Sequence, residues 1–175
     1  KKLEEVIISD FLNLDSYKKY FKSIDVVFYC LGIYTGSTNR KSFRMITVDY
    51  PFALAKQINK YSNSSIFVLL SGQGADKKEK SKFMFARDKG VIENKLNLIF
   101  GKKFYSVRPG YIYPVERREE PNLGYVISRR IYPLIKLLGR KFSITSKELA
   151  RAILYIGIKK PKKNIFENID LISII

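Results

Sequence analysis

Four short apolar runs, each closed by a polar or glycine-containing stop, constrain this chain more than any other feature. They are "EEVIISDF" (Glu4 to Phe11), "DVVFYCLG" (Asp25 to Gly32), "SSIFVLLSG" (Ser64 to Gly72) and "KFYSVRPGYIY" (Lys103 to Tyr113). Their apolar cores are continuous rather than alternating. Such runs mark strands buried on both faces, which belong to parallel sheets covered by helices on each side.

The stretches between the runs carry helical periodicity. "LDSYKKYFKSI" (Leu14 to Ile24) places Tyr17, Tyr20, Phe21 and Ile24 at helical spacing, with Asp15 or Ser16 as cap. Met45 to Tyr61 predicts a helix that carries Pro51 near its first turn, where proline is tolerated. Phe83 to Phe100 predicts a long helix, with Gly90 costing about 1 kcal/mol against alanine. A further helix is expected near Tyr125 to Leu138. "ITSKELARAILYIGI" follows, with Thr145 or Ser146 as cap, and then the tail "NIFENIDLISII". Strand and helix in this rhythm predict an α/β fold, a Rossmann-like doubly wound parallel sheet, as one domain over residues 1–175. Ligands of such sheets bind at the carboxyl ends of the strands. Asp10, Cys30 to Gly32, Ser71 to Gly74 and Arg108 to Tyr113 are therefore the positions to read.

Composition narrows the chemistry. There is no histidine, which excludes a Ser-His-Asp triad, a histidine base and a histidine metal ligand. One cysteine, Cys30, allows neither an internal disulfide nor a thiolate zinc cluster, and no metal site is expected. A reducing, cytoplasmic setting fits this. No apolar run approaches the roughly 18 residues of a membrane span. The net charge of +17 favours anionic partners. The basic residues are scattered, however, and form no aromatic-interleaved stripe of the nucleic-acid kind.

The order "SDF", "DVVFYCLG", "LLSGQGADKKEK", "FMFARDKGVIEN", "VRPGYIYP", "ITSKELARAI" and "FEN" resembles the atypical short-chain dehydrogenase/reductase family, in its NAD(P)H-binding, epimerase- or dehydratase-like branch that includes the Tat-interacting oxidoreductase-like proteins. The resemblance covers nearly the whole chain. It implies NAD or NADP as cofactor and an unknown small molecule as substrate. It also implies that the first strand, glycine-rich turn, first helix and second strand are absent, so that the domain is incomplete at its N-terminus. No G-x-x-G-x-x-G occurs in these residues, and the missing strands would fall between "VIISDF" and "DVVFYC" in the 3-2-1-4-5-6 order. Residues 114–140 would form a variable, substrate-side segment.

By the same resemblance, Asp10 and Phe11 would lie beside the adenine. Asp10 reads equally as a strand-end turn cap. Cys30, Leu31 and Gly32 would line the ribose of the adenosine. Lys89 would hold the nicotinamide ribose hydroxyls, as the lysine of a Tyr-x-x-x-Lys pair whose tyrosine position is Phe85 here; otherwise it is a helical surface lysine paired with Glu93. Phe85 has no proton to transfer. Ser71 would be the catalytic serine, although Gly72 occupies the neighbouring position where the family often carries a second hydroxyl. Tyr34, Tyr111 or Tyr113 could replace the missing acid. Pro109, Gly110, Tyr111 and Ile112 would contact the nicotinamide carboxamide. Arg108 is left without a role, and Glu167 and Asn168 are expected to carry no chemistry.

Three functions compete at this point. One is an NAD(P)-dependent oxidoreductase or epimerase. Another is a dinucleotide-binding sensor or scaffold without turnover. The third is a basic binder of nucleic acid or a membrane surface, which the charge alone suggests.

Overall fold

The computed structural model describes residues 3–116, 127, 130, 132 and 141–175. Four strands form an all-parallel sheet: β1 (Val26–Tyr29), β2 (Ile66–Leu70), β3 (Phe104–Arg108) and, in chain order after two further strands, β6 (Ile165–Glu167). Their order across the sheet is β1-β2-β3-β6. Val26 pairs with Ile66, Phe67 with Phe104, and Ser106 with Ile165. The fold is a Rossmann-like α/β sheet with helices on both faces, as the apolar runs require.

Side-chain alternation in β2 divides the core in two. Phe67 and Leu69 face one layer, with Val48, Ala55 and Ile58 on one helix and Ile92 and Leu96 on another. Ile66 and Val68 face the opposite layer, with Leu149, Ala152, Ile156 and Leu171. β3 is buried at every position because it lies between two strands and under both layers.

Helix α1 (Arg40–Arg44) opens with the Asn39 side chain accepting from the Ser42 amide. It runs through a π-turn (Met45–Asp49) into α2 (Tyr50–Tyr61). The helix thus starts five residues before the expected Met45. Pro51 has no amide hydrogen, and its ring would crowd the carbonyl four residues back in a regular helix. The widened turn just upstream gives it room. α3 (Met84–Phe100) follows the predicted span closely. α4 (Ser146–Lys159) begins with a full capping box: Thr145 accepts from the Glu148 amide, and Glu148 accepts from the Thr145 amide. α5 (Asn168–Ser173) ends the domain.

Three expectations change. Residues 4–11 form no strand; most are exposed, with Ile7 at 87%. A strand needs a ladder, and this run joins neither of the two described sheets. β1 is one edge of the four-stranded sheet and β6 the other. The expected helix at Leu14 to Ile24 is a shorter 3-10 helix (Asp15–Phe21) without a side-chain cap; Asp15 accepts from Gln57 instead. The run Lys103 to Tyr113 is not one strand. Pro109 and Gly110 break it, and β4 (Tyr111–Tyr113) pairs in parallel with β5 (Ser143–Thr145) in a second, two-stranded sheet. Most of the 114–140 segment, with the helix expected near Tyr125 to Leu138, lies outside the described residues.

Candidate functional site

The carboxyl ends of β1, β2 and β3 open toward one side of the sheet, and a cavity of about 260 Å³ lies there. Its wall draws on separate parts of the chain: Cys30 to Tyr34 after β1, Thr47 from the π-turn, Leu70 and Ser71 at the end of β2, Phe85 and Lys89 on α3, and Ile112 on β4. An adjoining cavity of about 330 Å³ is lined by Ser71 to Gln73, Phe85 and Pro109 to Ile112. Cys30, Leu31, Gly32, Ser71, Lys89, Pro109, Gly110, Tyr111 and Ile112 therefore all line one or other of these two neighbouring spaces.

Lys89 stands on the second turn of α3 and reaches back to the sheet. Its Nζ donates to the Leu70 carbonyl at 3.1 Å. It has no ion-pair partner among the described residues, since Glu93, one turn on, is committed elsewhere. Burial holds the Lys89 amine down at about 8, against a weaker upward pull from Glu93. Next to it, the Cys30 thiol is pushed up by the same desolvation.

Glu93 is fully buried behind the cavity wall. It accepts from Ser71 Oγ at 2.6 Å, Ser106 Oγ at 2.8 Å, and Arg108 through Nε at 2.9 Å and Nη2 at 2.5 Å. Arg108 reaches Glu167 with its remaining terminal nitrogen at 2.9 Å. A buried carboxylate needs this many donors to stay charged. The consequence for Ser71 is direct: its only proton points at Glu93 and away from the cavity.

Phe85 contributes an aromatic wall. Its ring lies against Gly72, where a Cβ would meet the ring edge. Gly72 thus leaves the space that the Phe85 ring occupies. Tyr34 also lines the same cavity. At the Pro109–Gly110 bend, the Gly110 amide donates to Asn168 Oδ1 at 2.8 Å and the Tyr111 amide to the Phe142 carbonyl at 2.8 Å. Asn168 is fully buried and also donates to the Ser143 carbonyl, so it ties the bend to β5.

Asp10 and Phe11 lie outside the cavity wall. Asp10 is exposed and accepts from the Leu12 amide at 2.8 Å, the turn-capping geometry of an aspartate. Phe11 stacks on Tyr50 with ring centroids 5.3 Å apart. Thr47, Ile33 and Leu70 complete the cavity wall, and no sequence signal singled them out. Among the described residues no group of three or more His, Cys, Asp and Glu side chains could hold a metal ion, and no helix is long and apolar enough to cross a membrane. No protein-family model matches the chain.

Proposed function

We propose that this chain is an NAD(P)-binding, short-chain dehydrogenase/reductase-like protein that takes the nicotinamide-ribose end of the dinucleotide in the cavity at its strand ends. The observation that carries this is the meeting of Lys89, Phe85, Ser71 and Ile112 with Cys30 to Gly32 around one space. In this reading the Lys89 amine bonds the ribose hydroxyls, and Phe85 and Ile112 pack on the nicotinamide ring.

The same residues favour binding without turnover. Phe85 has no proton to offer, and Ser71 donates its hydroxyl hydrogen bond to Glu93. That arrangement supports a sensor or scaffold role. Tyr34 supports a second reading, an oxidoreductase or epimerase acting on a small molecule, because tyrosine is a side-chain type that can serve as acid or base and this one lines the cavity. Reduced-nicotinamide fluorescence separates the two. A shift on mixing NADH with the protein reports binding. Slow consumption of NADH with a panel of small carbonyl compounds, lost in Tyr34→Phe, reports turnover.

A further inference from the structure

Among the described residues Lys89 is the one amine at this cavity, and its surroundings are those of a nucleophile. Lys89 shares the cavity wall with Phe85 and the end of β2, and its Nζ is oriented by the Leu70 carbonyl. Leu31, Ile33, Leu70, Phe85 and Ile112 give the cavity apolar walls. The nearest carboxylate, Glu93, is occupied by Arg108, Ser71 and Ser106 and does not pair with the amine. Among the described residues, the other ionisable groups at the cavity wall are Cys30 and Tyr34 from the β1 end, with Arg108 on β3 behind Glu93. With its amine held at about 8, Lys89 is partly free base at neutral pH. An ordinary surface lysine, near 10.4, presents on the order of a hundred-fold less free amine there.

We propose that this cavity captures small aldehydes with apolar or aromatic tails as a Schiff base on Lys89. The nitrogen lone pair attacks the carbonyl carbon, and a C–N bond forms as the C=O π bond opens onto oxygen. The two N–H protons of the free amine end on that oxygen, which leaves as water when the C=N bond closes. No oxidant, reductant or metal is required. The apolar walls favour the step because they hold the amine unprotonated and pack the aldehyde tail. This activity does not depend on dinucleotide binding; it needs only the amine and the cavity.

Benzaldehyde with sodium cyanoborohydride tests it, since the borohydride reduces the imine to a stable benzylamine. The protein is labelled near pH 7.5 under limiting reagent, digested, and the modified lysines located by mass spectrometry. The expected result is label at Lys89 at least tenfold above the mean of the other lysines. Its rate should fall as pH drops below about 8. Ile112→Trp, which fills the cavity and keeps the amine, should slow labelling at Lys89 alone, with melting behaviour checked in parallel. Label spread evenly over the surface lysines of the folded protein would overturn the proposal. So would preferential labelling of Lys89 that a folded Ile112→Trp protein retains in full, because the cavity would then play no part.

Discussion

Arg108 and Glu93 form a buried, two-pronged ion pair, with Nε to Oε1 at 2.9 Å and Nη2 to Oε2 at 2.5 Å. It joins the end of β3 to the middle of α3 directly behind the cavity. Removing one partner of such a pair leaves a buried charge without compensation, at a cost of about 3–5 kcal/mol. Arg108→Met is expected to lower stability by about 3 kcal/mol, because Ser71 and Ser106 still solvate part of the Glu93 charge. Urea denaturation reads this as a lower midpoint with an unchanged slope. An unchanged midpoint would show that the pair contributes nothing.

Gly90 gives a second prediction. The Asp76 turn is fixed by its own carboxylate, which accepts amides from Lys78, Lys80 and Ser81. The Asp76 backbone packs against α3 at Gly90, where a Cβ would overlap the Asp76 carbonyl oxygen. By helix propensity alone, Gly90→Ala should gain about 1 kcal/mol. By the packing it should lose about 2 kcal/mol or more, because backbone and not a flexible side chain blocks the methyl group. Thermal melts decide the sign.

How much of this was legible in sequence depends on how local each cause is. Ile66 to Leu70 declares itself as a buried strand because both faces are apolar, whereas Val26 to Tyr29, read in the same way, forms an edge strand with Phe28 41% exposed. The run at Val6 to Phe11 carries the same signal and yet forms no strand, since the backbone partner that would complete a ladder is not a property of the run. Thr145 is legible as a cap because its partner, Glu148, is three residues away. Glu93 is not: a glutamate on a helix reads as a solvated charge, and its burial depends on Arg108 and Ser106 from a strand later in the chain. Asn168 is hidden in the same way, since the Gly110 amide it accepts from lies 58 residues earlier. Gly90 was legible as a helix cost but not as the contact that explains it.

Lys89 should shape the pH dependence of stability. Its folded value of about 8 lies below the ordinary 10.5. Between those values the unfolded chain binds more protons than the folded one, so this group makes stability rise with pH through that window. Below it, the cost of burying the charge is fully present. Lys89→Met removes that cost and is expected to gain about 1 kcal/mol near pH 7, a value reduced because the Leu70 carbonyl loses its Nζ donor. The gain should vanish above about pH 10. Paired melts of the two proteins at pH 7 and pH 10 test the sign. A Lys89→Met protein less stable at neutral pH would contradict the burial argument.

Thr145→Ala removes the side-chain half of the capping box at the start of α4 and should cost about 1 kcal/mol. Thr145→Ser keeps the acceptor and should cost less. Urea midpoints of the two variants check this, and equal losses would assign the effect to packing rather than to the cap.

The central claim is a dinucleotide site that depends on Lys89. Calorimetric titration of NADH and NADPH into the protein, and into its Lys89→Ala variant, tests it most directly. The account predicts micromolar binding of at least one of the two, weakened about tenfold or more by the substitution, as expected for loss of charge-assisted hydrogen bonds to the ribose. A cooperatively melting protein that binds neither, or that binds equally well without Lys89, would contradict it.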